Sequence, residues 1–140
     1  MDYTDLYING DWRPGAENVR FDVINPATEE VLASVASAEI ADADAALDAA
    51  EAAFAEWAGY TPRQRSEVLR KAWELMTARI EDFARLITLE NGKARGDAIG
   101  EATYAAEFFR WFAEEAVRAD GMITHAPASG ARILVQHKPA

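Results

Sequence analysis

The stretch SGARILVQHKPA, residues 129–140, decides how the rest of the chain is read. After a small-residue loop, Arg132 to His137 clusters the apolar, mostly β-branched residues Ile133, Leu134 and Val135, which is the pattern of a β-strand. A strand needs a neighbour for its backbone N–H and C=O groups, and an unpaired apolar edge invites association with another chain. The residues before it read as helix, so the strand has no local partner in prospect. The expectation is a chain that stops short of the segment completing its fold.

Working outward from that strand, APASG around position 128 is the one hinge-like loop, and a helix precedes it from about Ala94 to Ala119 with Gly121 as its stop. Tyr104, Phe108, Trp111 and Phe112 crowd this helix while Phe109 and Val117 fall elsewhere on the wheel, which predicts burial from two sides. A second helix opens on TPRQ: Thr61 caps, Pro62 suits the first helical position and Gln64 completes a capping box. Its stripe runs through Leu69, Trp73, Met76, Ile80, Phe83 and Ile87, with a break expected near Glu81-Asp82, and Asn91-Gly92 ends it. A first helix starts near Glu39, sets Ala43, Leu47, Ala50, Phe54 and Trp57 against an acidic face, and stops at Gly59.

Before Glu39 the period is two. Asn9-Gly10 between Leu6-Tyr7-Ile8 and Asp11-Trp12-Arg13 is a hairpin signal, because a type I′ turn demands positive φ at both central residues. Phe21 to Ile24 and Val31 to Val35 flank NPATEE, where Pro26 fixes φ and Asn25 bonds its own backbone, so a second hairpin is expected. The fold class is therefore mixed α/β: N-terminal hairpins over residues 1–36, three long helices over 37–122, and a loop and strand over 123–140, together one incomplete domain.

Composition narrows function more than it identifies it. With 14 Lys+Arg against 24 Asp+Glu the formal charge is −10, so no basic stripe is available for nucleic acid. There is no cysteine, which excludes disulfides, thiolate metal ligands and a cysteine nucleophile within these residues. No 18-residue apolar run and no signal-like N-terminus occur, so the chain reads as soluble and cytoplasmic, without a membrane partner. His125 and His137 lack metal-site spacing and read as structural or surface residues. Neither GxxxxGK[ST] nor GxGxxG is present. Gly92, Gly96 and Gly100 read as a helix stop and two points of close approach. Glu114 and Glu115 point about 100° apart on a helix and form no acid–base dyad. No complete active site emerges, catalytic and metal residues being none.

Read in order, YINGDW (7–12), VINPATEEVLASV (23–35), AAFAEWAGYTPRQRSEVLRKAWELM (52–76), ITLENGK (87–93) and VQHKPA (135–140) resemble the N-terminal portion of the NAD(P)-dependent aldehyde dehydrogenases. EATYAAEFFRWFAEEAVR (101–118), through its WFAEE core, is similar to the succinate-semialdehyde dehydrogenase branch. The resemblance implies an incomplete part of that fold, from a chain about three times longer whose catalytic asparagine, cofactor fold, general-base glutamate and nucleophilic cysteine all lie beyond Ala140. It implies NAD or NADP in the parent enzyme and no cofactor bound by this chain alone. It makes Arg132 to Lys138 a strand of an oligomerisation arm, with either a homo-oligomer or the missing C-terminal part as partner. It also places the third helix beside the substrate entrance. Glu101, Tyr104 and Phe108 share a face of that helix by three- and four-residue spacing and are the channel-lining candidates, with core packing the competing role for the two aromatics.

The function implied is a catalytically incomplete piece of an enzyme oxidising an aldehyde, succinate semialdehyde, to a carboxylic acid. A non-catalytic module docking onto a full-length relative, and a small acidic helical scaffold, are the alternatives. Each large apolar side chain left exposed forfeits roughly 1.5–3 kcal/mol, and whole domains hold only about 5–15 kcal/mol. A partly molten or self-associating chain is the expectation.

Overall fold

The structure, a computed structural model, describes residues 3–138; Pro139 and Ala140 of the KPA motif lie outside the described residues. Two compact units are built, one from residues up to 57 together with 79–102, the other from 58–78 together with 103 onward.

In the first unit, β1 (Leu6–Ile8) and β2 (Asp11–Arg13) pair antiparallel with Ile8 opposite Asp11, so the turn is Asn9-Gly10 alone. Both turn residues have positive φ, 53° and 90°, as the sequence demands. The second hairpin joins β3 (Arg20–Ile24) to β4 (Val31–Ala36), with an irregularity between Val23 and Ile24. Asn25 starts its turn by accepting the Ala27 N–H on Oδ1 at 2.9 Å. Arg20 fastens this hairpin to the residues before β1, donating to Asp5 Oδ1 at 2.6 Å, Thr4 Oγ1 at 2.8 Å and the Ser34 carbonyl at 2.7 Å.

Helix α1 (Ile40–Gly59) begins beside a buried carboxylate. Asp42 Oδ2 accepts the Ala16 N–H at 2.9 Å and the Glu39 N–H at 3.0 Å, and Oδ1 accepts from Arg13 Nη2 at 2.8 Å. One side chain thus ties β2, the turn after it and the start of α1. The amide bonds of Ala16 and Glu39, and after them the Arg13 guanidinium, hold the Asp42 pKa below its ordinary 3.8 despite its desolvation. A depressed folded pKa stabilises the fold above the unfolded value and is lost as pH falls through the folded one. The stability advantage of the native chain over Asp42→Asn is therefore expected to be constant near neutrality and to vanish on acidification below the carboxylate range. Urea midpoints of the two proteins across pH check this, and a pH-independent difference would refute it.

The first unit also holds α3 (Ile80–Asn91) and the start of α4 (Arg95–Ala116). Gly92, at φ 76°, closes α3 by donating its N–H to the Thr88 carbonyl at 2.9 Å. In the second unit α2 (Pro62–Thr77) carries the expected capping box, with Gln64 N–H donating to Thr61 Oγ1 at 3.3 Å and Thr61 N–H donating to Gln64 Oε1 at 2.8 Å. There too lie the rest of α4 and a hairpin of β5 (Met122–His125) and β6 (Arg132–Val135).

Three expectations are corrected. The second helix has its expected break, but at Ala78–Arg79, just ahead of Glu81-Asp82, so the described residues form four helices in place of three. The terminal strand, shorter than Arg132 to His137, does pair locally, because MITH directly after Gly121 supplies β5 in register Met122↔Val135. Finally, α4 is not buried on two sides by its aromatics: Tyr104 is 66% and Trp111 61% exposed. Its buried residues are Ala98 and Ala102 in the first unit, where Ala36 and Ala84 are buried too, and Ala106 and Ala113 in the second. No helix among those residues is long and apolar enough to cross a membrane.

Candidate functional site

The second unit presents one apolar groove on α4, of about 380 Å³ and lined by Tyr104, Glu107, Phe108, Trp111 and Phe112. Helical spacing makes it: 104, 108 and 111 follow one another up a face, and 112 stands one turn above 108. The Tyr104 and Phe108 rings meet edge-on at a centroid distance of 4.8 Å, the geometry that aromatic quadrupoles favour. Glu107 is the carboxylate in the lining, and Arg110 neutralises it with Nη2 at 2.5 Å and Nε at 2.8 Å from Oε2. The surface is accordingly apolar and close to neutral. It can hold or guide an apolar stem, and its polar groups are the Tyr104 phenol and the Glu107 carboxylate that Arg110 pairs with.

Two of the three predicted positions, Tyr104 and Phe108, stand together in this groove. Both are exposed, 66% and 47%, among the described residues. Glu101 sits earlier on α4, exposed, and its carboxylate is engaged by Lys93 Nζ. Trp111 and Phe112 belong to the groove as well, and extending the three- and four-residue spacing beyond Phe108 would have found them. The Asp42 tie was missed, since Arg13 lies 29 residues away in sequence and nothing local marks the pair.

A second depression, of about 630 Å³, has Ser66, Trp73 and Ala113 in its lining with arginines around them. Those cations are committed: Arg70 pairs with Glu67 at 2.7 Å and also with Glu74, and Arg118 pairs with Glu115. No cluster able to hold a metal ion occurs among the described residues. Those residues also do not fit a nicotinamide dinucleotide, which sits at the switch point of a parallel sheet, whereas the strands here pair as two-stranded antiparallel ribbons.

Comparison with known proteins supplies what the side chains leave open. The aldehyde dehydrogenase family matches residues 12–140. The succinate-semialdehyde dehydrogenase of Paenarthrobacter nicotinovorans is 55% identical over 109 residues, 78% of this chain and 24% of that one. The succinate-semialdehyde dehydrogenase [NADP(+)] of Saccharomyces cerevisiae is 44% identical over 115 residues, 82% of this chain and 23% of its own. The crystal structure of succinate-semialdehyde dehydrogenase from Burkholderia pseudomallei superposes with a TM-score of 0.83 at 38% identity, covering 91% of this chain and 27% of that chain. The chain thus spans about a quarter of the length of the relatives it matches.

Proposed function

This chain belongs to the aldehyde dehydrogenase family, and from that premise we propose that its residues are the N-terminal scaffold of an enzyme oxidising succinate semialdehyde to the carboxylic acid with NAD(P). The observation that carries the reading is a family match across residues 12–140 of a chain that covers only about a quarter of its relatives. The nicotinamide cofactor supplies a hydride acceptor when bound. Hydride loss from an aldehyde first needs a tetrahedral adduct, made with a nucleophile and stabilised by hydrogen-bond donors to its oxyanion. With no cysteine among the 140 residues, a thiolate for that step comes from outside them.

In this reading the Tyr104–Phe112 face of α4 is a wall beside the path of the aldehyde, keeping water from its apolar stem, with Glu107 balanced by Arg110 so that it does not repel a carboxylate-bearing substrate. The β5–β6 hairpin is the part of the arm that joins another copy or the remainder of the enzyme. Its exposed residues favour a second reading, a non-catalytic module that self-associates or docks onto a full-length dehydrogenase: Ile123 is 71% and Leu134 63% exposed.

One preparation tests both readings. The purified 140-residue chain, mixed with succinate semialdehyde and NAD+ or NADP+, is expected to form no reduced cofactor above the protein-free rate; turnover would overturn the scaffold reading. The same sample, heated at several concentrations, is expected to show a broad or concentration-dependent transition. A sharp, concentration-independent transition of a monomer would remove self-association.

A further inference from the structure

We propose that Asn9 is a site of spontaneous succinimide formation, giving aspartyl and isoaspartyl products in the β1–β2 turn, and that the fold directs this chemistry to Asn9 over Asn91. The chain has four asparagines, Asn9, Asn18, Asn25 and Asn91. The reaction needs the backbone nitrogen of the next residue to reach the asparagine Cγ, so a glycine with no Cβ in the way is the best successor. Only Asn9 and Asn91 precede glycine. Asn18 precedes the branched Val19, and Asn25 precedes Pro26, whose nitrogen carries no proton to lose.

The same dipeptide meets two environments. Asn9 and Gly10 are exposed and form the whole of a two-residue turn. The Ile8↔Asp11 pairing closes the ladder and leaves the Gly10 amide outside it. A Cβ built on Gly10 would meet nothing within 4 Å, so water has access. Asn91 and Gly92 are exposed too, but Asn91 is the last residue of α3, and the Gly92 nitrogen that would attack it already donates to Thr88 at 2.9 Å. The Pro26 ring lies 3.1 Å from where a Gly92 Cβ would stand, so the glycine is walled on that side. Attack there has to wait for the end of α3 to open.

The balance is simple and needs only water. The Gly10 N–Asn9 Cγ bond forms, the Cγ–NH2 bond breaks, and ammonia leaves with the Gly10 amide proton. Water then opens the five-membered ring. Hydrolysis at the side-chain carbonyl gives aspartate; hydrolysis at the backbone carbonyl gives isoaspartate, which routes the main chain through an extra methylene. A two-residue turn fixes hairpin register, so the isoaspartyl form loosens the β1–β2 pairing, including the Tyr7–Trp12 ring contact at 5.1 Å.

The test is a time course of the full chain in warm, mildly alkaline buffer, with and without concentrated urea. Conversion at each asparagine is read by tandem mass spectrometry, and isoaspartate by methyl transfer from S-adenosylmethionine with an isoaspartyl methyltransferase. Without urea, Asn9 is expected to convert about fivefold or more faster than Asn91, the ratio that one protecting hydrogen bond supplies. In urea the two rates are expected to converge. Equal rates in the folded chain, faster conversion at Asn91, no conversion at Asn9, or an undiminished ratio in urea would each overturn the proposal.

Discussion

Gly121→Ala is expected to destabilise the second unit by roughly 2–5 kcal/mol, melting the β5–β6 hairpin well before the parent chain. Two costs combine. Gly121 has φ 90°, a conformation that costs an L-residue about 1–2 kcal/mol. A Cβ there would also press on the Val135 carbonyl, well inside van der Waals contact with its oxygen and 3.3 Å from its carbon. That carbonyl is at the end of β6, so the hairpin would have to move to make room. Overpacking of this kind costs about 1–3 kcal/mol. Gly130→Ala is the control: its Cβ would meet nothing within 4 Å, and its effect should stay within about 0.5 kcal/mol. Urea unfolding, with amide exchange at Ile123 and Leu134, separates the two. Equal behaviour of both variants would refute the assignment of Gly121 as the pivot of the hairpin.

Gly15→Ala is expected to cost the first unit roughly 1–3 kcal/mol by the same overpacking argument without a backbone penalty. Gly15 is buried, and a Cβ would strike the Ser37 carbonyl, with Asp42 Oδ2 at 3.5 Å on the same side. The next residue donates its N–H to that carboxylate at 2.9 Å, so any shift that relieves the clash pulls on the Asp42 tie. Gly100→Ala is predicted to go the other way. Gly100, expected as a point of close approach, instead lies inside α4 with open space around its Cα among the described residues, and replacing a helical glycine by alanine gains about 0.5–1 kcal/mol. Thermal and urea midpoints of the pair measure the contrast. A stabilised or unchanged Gly15→Ala chain would mean that the Ser37 segment is free to move.

What the sequence made legible was local. Asn9-Gly10, Thr61-Pro62-Arg63-Gln64 and Asn91-Gly92 each carry their turn, cap or stop within a few residues, and the structure realises each of them. The family resemblance rested on the same local stretches in collinear order, and the matches at 55% and 44% identity bear it out. The failures have a common physical cause. The break in the second helix was expected near Glu81-Asp82 and falls a few residues earlier, at Ala78–Arg79, where no glycine or proline marks it. MITH is too short for its period to be read, and it becomes a strand through pairing with residues seven to thirteen away. The Asp42 network joins residues that only the fold brings together. At the candidate site, spacing alone put Tyr104 and Phe108 on one face, but the side chain that neutralises Glu107 and the fate of Glu101 were decided by contacts.

The alanine-built interior reverses the usual ranking of which positions tolerate change. Where large residues fill a core, trimming them is what hurts; here the covered positions are methyl groups such as Ala84 and Ala98, both fully buried, and there is nothing to trim. Damage comes from adding atoms, because close-packed backbones leave no free volume to absorb them. Bulky positions such as Leu47 and Phe112, still 68% and 53% exposed, accept polar replacements in this chain at little cost. A saturation library selected for folding alone would thus enrich hydrophilic substitutions at the greasiest sites and purge even modest enlargements at the smallest ones.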